Sequence, residues 1–363
     1  MSDWVGLFIN YETVGKKLKP HKTETLNRRQ SESEKPNPHR TVTQINSTYL
    51  ELIDRWNFWR GFTSIVSLCF IAIMAVGIGG LIYYGFYNPS YSTSMGQNII
   101  DIFFISVFFG LIFILFHMLK RECFSYTHYP IRFNRKLKKV YVIQPNKKLL
   151  VANWEDFHVS LQQYNRRRWD VRFSLLDDQE KVIETFALPY TGYSQYDPFL
   201  LGHWEFVRRY MEDDTAQASY DVVAEVFPIH QRKERLRETV ERVMIAATGS
   251  EQPVNRAQRL VFWGLFPISF IFLIGRTLSV KTSKIPKFPE WVKQECEIEV
   301  NDPYDFEQNP KPKPQSEPIK PFEYVVYAIL FLISIVLGAG FIDLLSLAKG
   351  ENSGLLKALF FWW

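Results

Sequence analysis

Four long apolar runs constrain the fold of this 363-residue chain more than any other feature of its sequence. They cover residues 61–87, 99–119, about 260–280 and 323–347, and a run of about 20 apolar residues can cross the hydrocarbon core of a bilayer. Because a bilayer offers no partners to backbone polar groups, each run is predicted to be a transmembrane helix. The remaining segments are polar and charged, so the mean hydropathy of -0.13 conceals a membrane protein.

The lysines and arginines beside these runs predict how the helices are oriented, because such residues are enriched on the cytoplasmic side. Basic residues precede the first run and follow the second, whereas the short turn at residues 88–98 carries no charge. Both termini are therefore predicted to be cytoplasmic in a multi-pass arrangement. The turn at 88–98 and the Pro-rich segment at 281–322 are then predicted to be external.

The segments outside the runs predict a soluble part with several pieces. Residues 1–43 are typical of a flexible basic cytoplasmic arm, and residues 44–60 have the apolar spacing of a juxtamembrane helix. Residues 120–227 contain short stretches rich in Val, Ile and Phe, which predict a cytoplasmic strand domain. Residues 228–259 predict a charged linker helix, and residues 348–363 predict a cytoplasmic aromatic tail.

The stretch QYDPFLLGHWEFVRRYMEDD predicts a helix over residues 198–212 that closes the strand domain. Asp197 and Pro198 form a typical helix start, and Leu200, Trp204, Val207 and Met211 then follow at the spacing of one buried helical face. His203 borders that face, where packing or a surface hydrogen bond is favoured over catalysis. The predicted fold class is an α+β membrane protein: four transmembrane helices plus an antiparallel-sheet domain closed by a helix, an order of elements also found in pleckstrin-homology-like modules.

Three motifs on this four-span frame, YPIRFNRKLKKVYV, NWEDF and YDPFLLGHWEFVRRYME, carry a family resemblance. Across about residues 45–260 the chain resembles an uncharacterised family of proteobacterial inner-membrane proteins that are often encoded beside type VI secretion effectors. The resemblance implies an immunity or accessory protein of the inner membrane, which binds and neutralises a secreted, membrane-targeting toxin. The family has no catalytic motif, so no functional residue is carried over to this chain.

The Pro-rich segment at 281–322 is a candidate partner-binding region, because long extended loops are uncommon unless they act as spacers or recognise something. It contains eight prolines, and its middle part, PEWVKQECEIEVND, predicts a short strand or helix that docks on a partner. The candidate partner-binding residues are Trp291, Glu295, Glu297, Glu299 and Asp302.

Two basic clusters are candidates for binding lipid headgroups, because Lys and Arg near a membrane are attracted to anionic lipids. They comprise Arg166, Arg167, Arg168, Arg232, Lys233 and Arg235. These clusters support an alternative function, a lipid- or peptide-sensing module that acts through the strand domain. A solvated turn is the competing interpretation of the three consecutive arginines.

Motifs for common enzymatic chemistry are not found in the sequence. Outside the membrane runs there is no glycine-rich phosphate loop, and there is no HExxH, CxxC or GxSxG. No catalytic, cofactor-binding or metal-binding residue is therefore predicted, and the chain is predicted not to be an enzyme. The net charge of +5 is explained by basic residues beside anionic lipid, without a nucleic-acid partner. A homo-oligomer is compatible with the sequence.

Overall fold

Strand-rich and helix-rich segments alternate along the chain, and a computed structural model describes residues 4–5, 8–9, 14–19, 22–87, 95–165, 168–248, 254–312 and 316–348. The strands are β1 Trp4–Val5, β2 Phe8–Ile9, β3 Thr23–Thr25, β4 Val42–Ile45, β5 Tyr49–Leu52, β6 Ile131–Asn134, β7 Lys139–Ile143, β8 Leu149–Asn153, β9 Phe157–Asn165, β10 Arg168–Leu176 and β11 Val182–Gly192. The helices are α1 Phe62–Tyr87, α2 Met95–Glu122, α3 Pro198–Glu212, α4 Gln217–Val222, α5 Leu236–Thr248, α6 Arg256–Gly264, α7 Phe266–Thr282, α8 Glu290–Glu295 and α9 Pro321–Ala348.

These elements form two compact units. The strand unit comprises Met1–Trp59, Tyr126–Lys233 and Ile285–Gln315, and the helical unit comprises Arg60–Ser125, Glu234–Lys284 and Ser316–Trp363. Antiparallel sheets in the first unit and long apolar helices in the second confirm the predicted α+β class. Each unit draws on three separate parts of the chain, so neither corresponds to a continuous stretch of sequence.

The core of the strand unit lies between two antiparallel sheets and helix α3. One sheet has the order β4-β5-β6-β7-β8 and the other the order β11-β10-β9-β3. Val171 and Phe173 of β10 are buried in this core, and the polar residues between and beside them are buried as well, so both faces of the strand are covered. On α3 the indole of Trp204 stacks on that of Trp154, with ring centroids 6.0 Å apart, and both residues are fully buried. The side chain of Asp197 caps α3 by accepting from the backbone N–H groups of the first turn, so the predicted closing helix is confirmed.

The prediction of a juxtamembrane helix over residues 44–60 is wrong. Residues 42–52 form the hairpin β4–β5, in which the side chain of Asn46 accepts from the N–H groups of Thr48 and Tyr49. Strand β5 also pairs with β6, a partner some 80 residues further along the chain. A short apolar pattern of this kind is compatible with either a helix or a strand. The long-range pairing with β6 therefore selects the strand conformation here. Helical geometry is limited to a 3₁₀ segment at Arg55–Trp59.

The prediction of a flexible arm over residues 1–43 is wrong for residues 22–43. Strand β3 pairs with β9, and Leu26 is buried in the core. The guanidinium of Arg40 forms a salt bridge with Glu225, 2.6 Å long. A polar composition predicted disorder, but these polar side chains have partners elsewhere in the strand unit.

The prediction that segment 281–322 and the strand domain lie on opposite sides of the membrane is wrong for residues 285–312, which belong to the strand unit. Phe288, Val292 and Cys296 are buried in one apolar cluster with Tyr49 and Tyr141 of the sheet. A segment that packs into a folded unit lies on the same side of the membrane as that unit. The orientation rule could not show this, because it counts charges and does not detect which residues pack together.

Among the described residues of the helical unit, three helices are long and apolar enough to cross a membrane: Phe62–Tyr83 within α1, Ile99–Glu122 within α2, and Pro321–Gly340 within α9. The fourth predicted span, 260–280, is divided into α6 and α7, which are bent by 96° at the break. The break falls just before Pro267, which lacks an N–H group and favours the first turn of a new helix. The predicted tail at 348–363, after Ala348, and most of the predicted turn at 88–98 lie outside the described residues.

Helix α1 begins against α7 at a close backbone contact. Gly61 has φ +98°, and a Cβ atom there would lie 2.2 Å from the backbone nitrogen of Arg276. Nearby, the carboxylate of Glu122 accepts from the N–H and hydroxyl groups of Ser64, so the end of α2 caps the first turn of α1. These contacts join the start of α1 to α7 and to the end of α2 within the unit.

Candidate functional site

The five predicted partner-binding residues lie on or beside the segment that packs against the sheet. The carboxylate of Glu295 accepts from the ammonium of Lys139 at 2.7 Å and from the hydroxyl of Tyr141. The carboxylate of Asp302 is buried and accepts from the N–H and hydroxyl groups of Ser47. Both carboxylates therefore already accept hydrogen bonds from donors within the same chain.

The other three residues of this set differ in how far they remain accessible. The carbonyl of Glu297 accepts from the hydroxyl of Thr48, and the carboxylate of Glu299 pairs with Lys136 at the surface. The indole of Trp291 contacts the ring of Tyr141 edge to face and is 46% exposed. Trp291 is the member of the set that presents a large apolar surface to solvent.

A buried ion pair lies beneath this segment. The guanidinium of Arg132 donates to the carboxylate of Glu51 at 2.6 Å and lies over the rings of Tyr49 and Phe288, at 4.1 Å and 4.4 Å from their centroids. Burial opposes the ionised carboxylate, but the adjacent Arg132 outweighs it and holds the pKa of Glu51 below its ordinary value. The same pairing raises the pKa of Arg132, again against the effect of burial. The pair is thus ionised. It links β5 to β6, and through Phe288 it also contacts residues 285–312, which we call the packed segment.

The predicted lipid-binding residues occupy different elements. Arg166 and Arg167 lie outside the described residues. Arg168 is at the start of β10, where its guanidinium lies 4.1 Å from the centroid of the Tyr193 ring. Lys233 and Arg235 are exposed and precede α5, and Arg232 is half-buried. Arg168 is therefore part of an aromatic surface, while the other three residues mark the segment that leads into α5.

An exposed aromatic patch lies between β11 and α3, and sequence reasoning did not identify it. We define it as Arg168, Tyr193, Tyr196 and Phe199; the three aromatic residues are 66%, 74% and 52% exposed. Behind them, the imidazole of His39 stacks on Tyr190 at 3.9 Å and lies 2.7 Å from the carbonyl of Phe199. The available signal was three aromatic residues in YSQYDPF that do not fall on the buried face of the following helix.

His203, on the buried side of α3, does not have the properties of a catalytic base. It is fully buried, and its Nδ1 lies 3.0 Å from the carbonyl oxygen of Asn37, to which it can donate. Burial, with a smaller contribution from His39, lowers the pKa of His203 to about 3. The imidazole is therefore neutral at physiological pH and serves to pack α3 against residues 37–39.

The stability of the strand unit should depend on pH through His203. The unfolded histidine binds a proton below about pH 6.5, whereas the folded one does so only near pH 3. Its contribution to stability is complete above pH 6.5 and is lost progressively as the pH falls. Between pH 7 and pH 5 the wild-type chain should lose about 2 kcal/mol more unfolding free energy than His203→Gln. Denaturant unfolding in detergent, followed by tryptophan fluorescence, measures this difference, and parallel pH profiles for the two proteins would contradict it.

The helical unit contains further charged groups that are paired with one another. Glu234 binds Arg276 at 2.6 Å and Arg242 at 3.2 Å, and these arginines outweigh burial to hold the pKa of Glu234 well below its ordinary value. Arg259 of α6 donates to the hydroxyl of Tyr327 on α9 and lies 3.9 Å from Glu323. These pairs hold α6 and α7 against their neighbours in the unit.

A small cavity lies in the strand unit. Its volume is about 60 Å³, and it is lined by residues that include Asp54, Arg55, Trp56, Tyr129 and Gln144. Sites for drug-sized molecules are typically several hundred Å³, so this space suits a few water molecules. Within the described ranges, no three His, Cys, Asp or Glu side chains are grouped so as to hold a metal ion.

Comparison with known proteins gives one match. The model of a family of unknown function, DUF6708, matches residues 108–299, which extend from the second half of α2 to just beyond α8. No curated protein and no solved structure shows significant similarity to the chain.

Proposed function

The chain belongs to the DUF6708 family, whose function is unknown, and we propose that it acts as a non-enzymatic membrane protein that binds and neutralises a secreted, membrane-targeting toxin. The observation that carries the proposal is the aromatic patch. Tyr, Phe and Arg side chains that remain exposed on a folded unit are the residue types enriched at the centres of protein interfaces. The partner is therefore a protein, and the patch is where it docks.

The rigidity of its support favours the patch as a binding surface. Asp197 caps α3 directly beside the patch, and the His39 ring stacks behind it on Tyr190. Side chains that are already held in place lose less conformational entropy when a partner binds. The strand unit then acts as a binding platform with a pleckstrin-homology-like order of elements.

The helical unit supports the membrane part of the proposal. Three candidate spans support association with a membrane, and we propose that this membrane is the one that the toxin attacks. Residues 126–233 and 285–315 belong to one folded unit, which supports a re-entrant α6–α7 pair that enters and leaves the membrane on the same side. We therefore propose three crossings of the inner membrane, with the strand unit in the cytoplasm and the chain after α9 on the opposite side.

A killing assay tests the proposal in the source bacterium. Cells that lack the gene should be killed by contact with parental cells that secrete toxins, and a copy of the gene on a plasmid should restore survival. The double variant Tyr193→Ser/Tyr196→Ser should fail to restore it, because it removes most of the aromatic surface. Counting surviving colonies after contact measures the effect.

Matched variants separate loss of binding from loss of the protein. Ile183→Ser and Val300→Ser remove exposed apolar side chains outside the patch, which are 53% and 90% exposed. Both should protect as well as the wild type, at equal amounts in the membrane by immunoblot. Survival of the deletion strain without any plasmid copy would disprove the immunity function. Full protection by the double variant would show that the patch is not needed for that function.

The basic segment before α5 favours a second candidate function, lipid sensing. Lys233 and Arg235 are exposed, and the adjacent Leu236 is 62% exposed, which suits an interfacial segment. The full chain is needed for a test, because the strand unit takes strands from residues 1–59 as well. Lys233→Glu/Arg235→Glu should reduce the anionic lipid that co-purifies with the chain from native membranes, and unchanged lipid content would argue against this function.

A further inference from the structure

Strand β8 is the outer strand of the five-stranded sheet, and its outward backbone groups can be assigned from the hydrogen bonds on its inner side. The carbonyl of Lys148 accepts from the N–H of Gln144, and the N–H of Trp154 donates to the carbonyl of Lys138. In an antiparallel ladder, alternate residues direct both backbone groups to the same neighbour. Even-numbered residues of β8 therefore face β7, while Leu149 and Val151 direct their N–H and C=O groups away from the sheet.

Two other outer strands of the two large sheets, β4 and β11, have some backbone partners on their outer side. On β4, the carbonyls of Val42 and Ile45 accept from the N–H groups of Phe227 and Phe306. On β11, Val182 forms a bridge with Val14. Within the described ranges, β8 has β7 as its strand neighbour and no strand on its other side. An open strand edge of this kind is a template for pairing with another chain.

The side chains along β8 are complementary to those of a second, antiparallel β8. Lys147 and Lys148 are exposed just before the strand, Glu155 and Asp156 are exposed just after it, and Val151 at the centre is 37% exposed. When two copies run antiparallel about Val151, the lysines just before one strand lie near the acidic residues just after the other. Opposite charges at these two ends attract, so the charge distribution favours the antiparallel arrangement.

An exposed apolar surface beside β8 lies on the face that such pairing would extend. Val151 is paired across the ladder with Tyr141, whose ring contacts Trp291 edge to face. Trp291 is 46% exposed at this position. A second β8 would add its own Val151 to this face and cover part of the indole.

We propose that β8 is a homodimer interface, in which two copies of the chain pair their β8 strands antiparallel about Val151. Each Val151 N–H donates to the Val151 carbonyl of the other copy, and each Leu149 N–H donates to the Asn153 carbonyl of the other. The N–H of Asn153 remains bound to the carboxylate of Asp156, as in the single chain. The same surface serves both copies, as a two-fold symmetric dimer requires.

Cysteine cross-linking tests the register in a chain whose Cys69, Cys123 and Cys296 are replaced by alanine. Val151→Cys should form a disulfide-linked dimer on mild oxidation, because directly opposed residues of a hydrogen-bonded pair lie about 5.5 Å apart, within disulfide range. Neither Leu149→Cys nor Asn153→Cys should form a disulfide-linked dimer by itself. When the two variants are mixed, the cysteine at position 149 of one chain should form a disulfide with the cysteine at position 153 of the other. The proposal would be overturned if the three single variants each formed a disulfide-linked dimer to the same extent. It would also be overturned if Val151→Cys formed none.

Two disruptive variants test the interface without relying on cysteine. Val151→Pro removes an N–H group that faces outward, so the β7–β8 ladder keeps its bonds and the mass in detergent should fall from dimer to monomer. Lys147→Glu should also give monomer, and adding Glu155→Lys should restore the dimer. Light scattering in detergent gives these masses. A wild-type chain that is monomeric, or one whose Val151→Cys variant links to a different protein, would show that a second copy does not occupy this edge.

Discussion

Replacing Arg132 by alanine should destabilise the strand unit by about 3–5 kcal/mol, because it leaves the buried carboxylate of Glu51 without its ionic partner. The Glu51 side chain is almost fully buried, and Arg132 contributes two of its hydrogen bonds. The substitution also removes the cation–π contacts to Tyr49 and Phe288, which join the sheet to the packed segment. Denaturant unfolding at neutral pH, followed by tryptophan fluorescence in detergent, measures the loss.

Two further variants show whether the cause is the unpaired charge. Arg132→Met/Glu51→Leu removes both charges and should recover most of the lost stability, because apolar side chains of similar size can replace a buried pair. Lys136→Ala breaks an exposed pair with Glu299 and should change the stability by less than about 1 kcal/mol. A double variant as unstable as Arg132→Ala would show that packing of the guanidinium, and not the unpaired carboxylate, is responsible.

Residues 183 and 300 should be labelled from the same side of the membrane, and the C-terminus from the other side. Ile183 and Val300 both belong to the strand unit and are exposed. Three candidate spans with a re-entrant α6–α7 pair give an odd number of crossings. Single cysteines at Ile183, at Val300 and appended after Trp363, in a chain without its native cysteines, should therefore separate into these two groups. Labelling with an impermeant maleimide in vesicles of known orientation measures the result.

An alternative with four crossings predicts a different grouping of the three labelled positions in the same experiment. A span through α6 and α7 would place Val300 opposite Ile183 and return the C-terminus to the side of Ile183. That arrangement would also require residues 285–312 to leave the sheet against which Phe288 and Val292 are buried. Labelling of Val300 and Ile183 from opposite sides would therefore disprove both the re-entrant pair and the packed segment.

The candidate sites could be predicted only in part. The sequence singled out Arg168 and Trp291, both of which lie on accessible surfaces, but it assigned Glu295 and Asp302 to a foreign partner. Their partners belong to the same chain: Glu295 accepts from Asn134 through its carbonyl, 161 residues away. The aromatic patch was missed because exposure of Tyr193 and Tyr196 depends on which residues the rest of the unit covers.

Features that depend on near neighbours in the chain could be predicted from the sequence. Uninterrupted apolar runs specify α1, α2 and α9, because lipid leaves a helix as the way to satisfy the backbone. The Asp197 cap and the stripe through Trp204 specify α3 from contacts within a few turns. The alternation of Val171 and Phe173 specifies a strand in the same way, but it did not show that the polar face of this strand is buried too.

Contacts between distant segments could not be predicted from the sequence and are seen in the folded structure. The tertiary structure made residues 42–52 a hairpin paired with β6, returned residues 285–312 to the sheet, and bent the chain between α6 and α7. The first two outcomes depend on polar or apolar partners that are far apart in sequence, such as Ser47 with Asp302. A local pattern fixes which face of an element is apolar, and the free energy of packing that face against all the others selects its partner.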